Sequence, residues 1–406
     1  MHILPILHTL RRHRTAASLI VLEIALTCAI VCNAVFVIRE RLGRMDRPSG
    51  LVEDELIRLQ VASIGVNDDA AAITLQDFAA IRALPGVKAV ATTNMIPFGN
   101  SSWNSDASPI KDDPNGVNTA MYMGSPELLE TFGVQLIAGR DFTPDEYVEL
   151  KAAQQNKTKI GSTIITKGVA DRFWPGDSAL GKKLYVWGDD PQTVVGVVER
   201  IARPNEGGSG VNDAAMAMFM PVDTPFNVGG NYVIRIDPTY RESVLAALES
   251  TMTRVNANRI FLEKQTFAEV RAKFFRKDRS MAYLLVGVSV ALLIITALGV
   301  IGLASFWVQQ RTRQIGVRRA LGATKRDIVH YFQLENFILA TIGIVLGMVL
   351  AYGINLWLMD TYGVARLPAE FLPVGALLLW LLGQVAVLGP ALRAAGIPPA
   401  IATRSV

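Results

Sequence analysis

Residues 309–332 read QQRTRQIGVRRALGATKRDIVHYF and form a short basic segment between two long apolar runs. The run before this segment carries no charged residue between Arg279 and Arg311, and the run after it carries none between Glu335 and Asp360. Each run exceeds the roughly 20 helical residues that cross about 30 Å of hydrocarbon. The segment is therefore predicted to be a polar loop between two membrane-spanning helices.

Four apolar blocks of the chain are long enough to cross a bilayer. Half of the 406 residues are hydrophobic, which is too many for one soluble globule, and they concentrate in these blocks. The predicted transmembrane helices are residues 16–38, 281–308, 334–358 and 371–392. Residues 39–280 have ordinary soluble composition and are numerous enough for one large domain.

The region between the first two helices carries both strand and helix signals. The segments with the β-branched or alternating pattern of strands are residues 56–64, 87–96, 193–201 and 232–236. The segments with helical apolar spacing are residues 75–84, 126–132, 167–173 and 241–255. The predicted fold class is an α-helical membrane protein with four transmembrane helices plus a large mixed α/β extracytoplasmic domain between helices 1 and 2.

The sequence of this region also predicts three loops and the connection to the second span. The polar stretch 100–118 is predicted to be a long exposed loop, and residues 205–210 and 227–231 are predicted to be turn-rich loops. Residues 266–286 contain neither Gly nor Pro, which predicts one continuous helix from the domain into the second span. A joint near Asp278 is the alternative.

Basic residues set the orientation, because short cytoplasmic loops retain Lys and Arg. The tails, residues 1–15 and 393–406, and the loop 309–333 carry such residues, whereas the loop 359–370 has only Arg366. We therefore predict that both termini and the basic loop are cytoplasmic and that the large domain lies outside.

The first span has a second interpretation, as a cleaved signal peptide. Its apolar core exceeds the roughly 7–15 residues of such peptides, which favours a retained anchor, although Cys32-Asn33-Ala34 is a cleavage-like end. Cys28 and Cys32 lie one helical turn apart inside this span, and the domain that follows contains no Cys. The domain is therefore predicted to be stabilised by its own core and not by disulfides.

Residues 315–323, IGVRRALGA, closely resemble the cytoplasmic coupling segment of permeases in the MacB/FtsX family of ABC transport systems. Two strings of the large domain strengthen the resemblance: GSPE with FGVQLIAGRDF in residues 124–142, and FWPG with LGK in residues 173–182, followed by VVGVV at 194–198. The C-terminal residues 390–404 resemble the closing segment of the family. The likeness extends over most of the chain.

The resemblance implies that the loop rests on a separate ABC ATPase and transmits its movement. The ATPase-coupling residues that it implies are Ile315, Gly316, Arg318, Arg319, Ala320, Gly322 and Ala323. Gly322 is expected to break the loop into two helical pieces, the second beginning near Thr324 and capped there with the help of Asp327. The alternative is that the arginines only fix topology and bind anionic membrane lipid.

Four residues within the spans are further candidates. Glu23 places a carboxylate in the first span, which costs about 2.5–3.5 kcal/mol at the centre of a bilayer. It is either a proton or substrate contact or a structural hydrogen-bonding group, and we favour the structural role. Gly343, Gly347 and Ala351 form a stripe of small residues that is predicted to pack against a neighbouring helix.

Signatures of catalysis and of metal binding are missing from the sequence. No HExxH, Cys/His metal spacing or GxSxG occurs, so no catalytic residue and no metal ligand is predicted. Residues 176–183, GDSALGKK, nearly match the phosphate-binding pattern, but Lys183 stands where a Ser or Thr hydroxyl would bind magnesium. We therefore expect a chain without a cofactor of its own, with ATP and Mg on a partner ATPase. The net charge of +4 gives no reason to expect nucleic acid as a partner.

The leading functional hypothesis is the permease subunit of a MacB-like ABC system in a bacterial inner membrane. Four helices are too few for a complete assembly, so a second permease chain, identical or different, is expected. The subunit would drive export or extraction of a periplasmic substrate, and a periplasmic adaptor or hydrolase is a further expected partner. The alternative is an FtsX-like transmembrane regulator or sensor, and a third hypothesis is an anchored periplasmic enzyme.

Overall fold

The computed structural model describes residues 14–65, 69–113, 115–155, 157–186, 190–205, 215–362 and 366–398. The chain divides into two compact units. We call Met1–Asp46 together with Lys277–Val406 the membrane unit, and Arg47–Arg276 the core unit.

The described part of the core unit contains both α-helices and β-strands, whereas the described part of the membrane unit is helical. The helices are α1 (Arg14–Met45), α2 (Ala70–Arg82), α3 (Leu128–Phe132), α4 (Leu150–Gln154), α5 (Lys167–Phe173), α6 (Arg241–Val255), α7 (Phe267–Phe274), α8 (Arg276–Gln310), α9 (Thr312–Ala320), α10 (Lys325–Tyr362) and α11 (Phe371–Ala395). The strands are β1 (Leu56–Ser63), β2 (Val87–Thr93), β3 (Asn104–Ala107), β4 (Val117–Met123), β5 (Leu136–Gly139), β6 (Val148–Glu149), β7 (Ser162–Thr166), β8 (Lys183–Leu184), β9 (Gln192–Val198), β10 (Ala217–Met220), β11 (Val222–Asp223), β12 (Asn231–Ile236) and β13 (Arg259–Thr266).

Among the described residues, four helices are long and apolar enough to cross a membrane: α1, α8, α10 and α11. Hydrocarbon offers no hydrogen bonds to a backbone, and a helix satisfies its own N–H and C=O groups. The predicted fold class is confirmed, because these helices flank a mixed α/β region. The chain is a multi-pass membrane protein.

Small residues let α1 and α10 approach closely. A Cβ atom added at Gly343 would lie 2.9 Å from the side chain of Ile24, and one added at Gly347 would lie 2.5 Å from the Cβ of Cys28. The Nδ2 of Asn33 donates a hydrogen bond of 3.2 Å to the carbonyl oxygen of Ala351. Close approach of this kind increases van der Waals contact between helices in lipid, where burial of apolar surface contributes little.

Polar contacts join α1 to α8. The hydroxyl oxygens of Thr27 and Thr296 lie 2.9 Å apart in a buried hydrogen bond, and Arg41 forms an ion pair with Asp278. The carboxylate of Glu23 lies against the backbone of Gly299, where an added Cβ would come within 2.5 Å of it. The structure therefore places Glu23 at a helix–helix contact, and its structural role stays a prediction.

The first sheet of the core unit is antiparallel, in the order β13-β1-β12-β2. Side chains alternate between its two faces, since successive residues of a strand point to opposite sides. One face packs on α2 and α6 through residues that include Ile57, Leu59, Ile81, Ile234 and Leu248. The other face carries the polar side chains of Arg58, Gln60 and Asn231 beside buried apolar ones such as Leu56 and Val233.

The second sheet is mixed, in the order β3-β4-β10-β7-β9-β5, with β8 paired to β9. Its core includes Ile165, Val169, Val194 and Met218, from strands of the sheet and from α5. A separate pair of short strands, β11 and β6, is parallel. The two sheets, together with the helices packed against them, give the region its mixed α/β character.

Two of the predictions for this region are wrong. The continuous helix predicted over residues 266–286 is broken at Phe275, whose ring is buried beside Phe98 and Phe274. Tertiary packing of that ring breaks the helix without a Gly or Pro. The stretch 100–118 is not a single exposed loop, because it contains β3 and the start of β4. Residues 206–210 of one predicted loop lie outside the described residues.

The small-residue contact between α1 and α10 yields a prediction. Gly347→Leu should force the two helices apart and lower the thermal unfolding temperature of the detergent-purified chain, at a cost of about 1–3 kcal/mol from overpacking. Gly353→Leu is the matched control, because no atom lies within 4 Å of a Cβ at Gly353 in the same helix. Equal melting temperatures for the two variants would contradict the packing.

Candidate functional site

The segment between the second and third spans folds into two helical pieces. Helix α8 ends at Gln310, α9 follows at Thr312–Ala320, and α10 begins at Lys325. Gly322 lies in the turn between the pieces with a φ of +101°, a conformation that L side chains rarely adopt. The predicted break at Gly322 is confirmed.

The start of α10 is capped within the turn. The hydroxyl of Thr324 accepts a hydrogen bond of 3.3 Å from the N–H of Asp327. The Asp327 carboxylate in turn accepts from the N–H and the hydroxyl of Thr324, at 2.9 and 2.7 Å. These bonds hold the pKa of Asp327 below its ordinary value. A carboxylate in the first turn also favours the helix dipole, so the predicted cap is confirmed.

The inner side of α9 is anchored in the bundle. Ile315 is 5% exposed and belongs to the apolar core of the membrane unit, together with Ile328 and Phe332 of α10 and Ala391 of α11. Gly316 is buried beside it, and Ala323 packs partly against the same core. These three predicted coupling residues therefore position the loop and are not on its exposed face.

Arg319 fastens α9 to the end of α11. Its Nη1 donates to the carbonyl oxygens of Ala395 and Ile397, at 3.0 and 2.9 Å. The last carbonyls of a helix lack intrahelical partners and carry partial negative charge, so a guanidinium there is stabilising. Arg319 was predicted to lie on the coupling surface with Arg318. In the structure Arg319 binds backbone carbonyls at the end of α11, whereas Arg318 is exposed.

A buried ion pair joins the loop to α10. Nη1 of Arg311 lies 2.9 and 2.7 Å from the two carboxylate oxygens of Glu335. The side chains are only 7% and 1% exposed, and the Arg311 guanidinium lies over the Trp307 ring. Sequence reasoning treated Arg311 as a topology signal and missed the pair. The available signal was that each residue marks the charged end of an apolar run.

The outer side of α9 is left exposed by these attachments. Leu321 is 83% exposed and Val317 is 44% exposed, so both present apolar side chains on the outside of this polar loop. Arg318 is exposed, with its guanidinium 4.8 Å from the centre of the Tyr331 ring. Ala320 and Gly322 are exposed beside them. We call Val317, Arg318, Ala320, Leu321 and Gly322 the α9 surface; Val317 and Leu321 were not among the predicted site residues.

An open groove of about 650 Å³ lies in the same part of the membrane unit. The start of α10 forms one wall and the end of α11 forms the other. Its lining residues are Lys325, Arg326, Asp327, Val329, His330, Gln333, Leu392, Ala395 and Gly396. The groove thus combines basic residues with apolar and backbone atoms. Among the described residues, no group of three or more His, Cys, Asp or Glu side chains is arranged to hold a metal ion.

Two family models match the chain. A model described as MacB-like periplasmic core domain matches residues 24–258, and a model described as FtsX-like permease C-terminal matches residues 286–399. The first of these alone covers more than half of the chain.

Named relatives are similar at modest identity. The macrolide export ATP-binding/permease protein MacB of Shewanella sp. (strain W3-18-1) is 27% identical over 302 residues, which cover 72% of this chain and 42% of the relative. The pyoverdine export ATP-binding/permease protein PvdT of Pseudomonas putida (KT2440) is 26% identical over 419 residues, 98% of this chain and 58% of the relative. The chain spans about half the length of the curated relatives that it matches.

Solved structures resemble part of the chain. The periplasmic region of MacB from Actinobacillus actinomycetemcomitans is 11% identical, covers 57% of this chain and 97% of its own, and has a TM-score of 0.32. The extracellular domain of the ABC-type transporter YknZ is 15% identical, covers 51% of this chain and all of its own, and has a TM-score of 0.31.

The exposed loop between two spans lies within the region matched by the FtsX-like model, and most of the mixed α/β core unit, up to residue 258, lies within the region matched by the MacB-like model. The chain belongs to the family of FtsX-like ABC transporter permeases that carry a MacB-like periplasmic core domain.

Proposed function

We propose that the α9 surface is the docking site of an ABC ATPase and that this chain converts ATPase movement into movement of its core unit. The observation that carries the proposal is Leu321, an apolar side chain that is 83% exposed at the C-terminal cap of the well-anchored helix α9. Apolar anchors surrounded by polar contacts dominate the binding energy of protein interfaces. Arg318 beside it adds a charge that can pair with an acidic partner surface.

The anchoring of α9 supports transmission of force. Ile315 lies in the core of the bundle, Arg319 binds the end of α11, and Arg311 binds Glu335 of α10. A helix held at three points cannot shift alone, so displacement of its outer surface has to move α10 and α11 with it. The close contact of α10 with α1 at Gly343 and Gly347 then extends the movement to the first span. The chain enters and leaves the core unit through α1 and α8.

The groove at the start of α10 extends the proposed docking surface. Lys325 and Arg326 are exposed there, and His330 lines the same wall. We include these residues with Arg318 as the basic part of the interface. ATP and Mg²⁺ would be bound by the ATPase, and both termini of this chain would be cytoplasmic.

The assembly that we propose contains a second permease chain, identical or different, in a bacterial inner membrane. Helix α8 offers an apolar surface for such a chain, because Ile294, Ile295 and Leu298 are each more than half exposed in the single chain. Lipid or a second permease would cover them. We propose that the membrane-embedded parts of the chain are residues 16–38, 281–308, 334–358 and 371–392. We propose that residues 39–280 lie in the periplasm.

The names of the relatives suggest a class of function for this chain. Two relatives carry names of macrolide export and pyoverdine export proteins, and we propose that this chain likewise drives export or extraction of a periplasmic substrate. The second candidate is a regulator that passes ATPase motion to a periplasmic hydrolase or adaptor. The two candidates differ in which periplasmic protein the core unit binds, and affinity purification from native membranes separates them.

Docking through Leu321 yields a prediction with an internal control. Leu321→Asp and Arg318→Asp should each reduce retention of the copurifying ATPase about thirtyfold, since a central interface residue is worth roughly 2 kcal/mol or more. Arg313→Asp, an equal loss of charge at another exposed position of α9, should retain most of the ATPase. The measurement is quantitative mass spectrometry of the tagged chain purified from its own membranes.

The outcome against docking is equally definite. If the arginines only fix topology or bind lipid, Arg313→Asp and Arg318→Asp will behave alike, and Leu321→Asp will retain the ATPase at the level of the unchanged chain. Membrane insertion is checked in every variant by protease accessibility of the core unit.

The buried ion pair yields a second prediction. Arg311→Met or Glu335→Leu alone leaves an unpaired buried charge, which should destabilise the chain by about 3–5 kcal/mol and release the ATPase. The double variant replaces both charges by apolar groups and should recover most of the stability and the ATPase retention. Thermal unfolding in detergent measures the stability. Additive losses in the double variant would show that the two side chains do not act as a pair.

A further inference from the structure

The polar face of the first sheet lines a cavity that is partly open to solvent. Arg58 pairs with Gln265 across β1 and β13, and Gln60 pairs with Glu263 on the same face. Asn231 of β12 lies opposite Gln60 on the other side. The polar face of an antiparallel sheet ordinarily faces water. Here residues 94–103 and α7 cover it and leave a cavity of about 350 Å³.

Aromatic packing holds the cover in place, although part of its backbone has positive φ angles. Phe98 is 6% exposed, and its ring lies 5.4 Å from Phe274 and 5.5 Å from Phe275. The Arg271 guanidinium lies on the same ring, 5.1 Å from its centre. Phe98 has a φ of +61°, which is a costly conformation for a bulky residue, and Asn100 has a φ of +64°, which Asn tolerates better than most residues. Strain of this kind persists where the surrounding structure enforces it, and it concentrates at binding sites.

The cavity wall has an excess of positive charge. Arg58 is 9% exposed and donates to Asn231, Glu263 and Gln60, which leaves two of its five N–H groups unused. Lys273 also pairs with Glu263, and almost half of its side chain is exposed. Two cations therefore share one carboxylate. The Oε1 atom of Gln265 is buried in the wall without a hydrogen-bond partner.

The cavity also has an apolar wall. Phe98, Trp103 and Phe274 line it opposite the polar face of the sheet. Its volume lies in the range of roughly 300–1,000 Å³ that is usual for small-molecule sites. A ligand that complements both walls needs a negative charge for Arg58 and Lys273, and an apolar group for the aromatic side chains.

We propose that this cavity is a binding site for a small molecule that carries a carboxylate and an apolar or aromatic group. The carboxylate oxygens would accept the unused N–H groups of Arg58 and an N–H of Lys273, charge-assisted hydrogen bonds that are stronger than neutral ones. An N–H of the ligand would satisfy Oε1 of Gln265. A free small acid and the C-terminus of a short peptide share this chemistry.

The site is separate from the proposed docking surface and does not depend on it. Val270, Lys273 and Phe274 of α7 belong to the wall, and α7 directly precedes α8 in the chain. Binding itself needs neither ATPase nor nucleotide, so a failed binding experiment would leave the docking proposal untouched.

The test uses the full chain in detergent, with two acids as probes: N-acetylphenylalanine, and N-acetyl-alanyl-phenylalanine for the peptide source. The matching amides are the controls for the negative charge. Calorimetry or saturation-transfer NMR should show each acid binding at least tenfold more tightly than its amide, because only the acid can form the charge-assisted bonds. Preference for one of the two acids identifies the source.

Variants locate the binding. Lys273→Gln should weaken binding of the acid about tenfold and bring it toward the amide. Lys264→Gln is the matched control, because Lys264 is also in this part of the fold but pairs with Glu249 outside the cavity. Trp103→Ala should weaken acid and amide alike, since it removes apolar contact only. These substitutions avoid the buried Arg58, whose loss would endanger folding.

Three results would overturn the proposal. The first is that neither acid binds with a Kd tighter than about 10 mM. The second is that the acids and amides bind equally well. The third is that Lys264→Gln weakens binding as much as Lys273→Gln does.

Discussion

The guanidinium of Arg311 and the carboxylate of Glu335 form an ion pair with almost no solvent contact, 2.7 Å apart. Removing two charges from water costs several kcal/mol for each ion, and the cost is offset only by close and well-directed pairing. The pair therefore fixes where α8 ends relative to α10 and limits the position of the short helix between them. Ile315 and Arg319 complete the attachment, one through the apolar core and one through the carbonyls of α11.

This constraint holds the α9 surface rigidly in place. A loop that is free to move can bind a partner but transmits little force, because its own flexibility absorbs the displacement. Here Arg318 lies on α9 and Leu321 lies at its C-terminal cap, and the inner side of that helix is fixed to two spans. Close packing of α10 on α1 connects this rigid attachment to the first span, because the side chain of Cys28 lies directly against the backbone of Gly347. The proposed function as a mechanical coupler rests on that continuity.

The sequence was most informative where structure depends on neighbouring residues. The break at Gly322, the Thr324 cap and the helix Arg241–Val255 follow from local chemistry and were predicted. The pairing of Arg311 with Glu335 was not, because those residues come together only when two helices turn back on each other. Likewise Arg319 reaches carbonyls that lie 76 and 78 residues further along the chain. Strand β3 reads Asn-Ser-Asp-Ala, which has no strand signal of its own and is fixed by pairing with β4.

Docking of an ATPase on α9 is tested most directly by site-specific photo-crosslinking in native membranes from a benzoylphenylalanine at position 321. We predict a crosslink to an ABC ATPase from position 321, and none from the same probe at position 366, in the loop on the opposite side of the predicted topology. Crosslinks from position 321 to lipid alone, or ATPase crosslinks from position 366, would contradict the docking of an ATPase on α9.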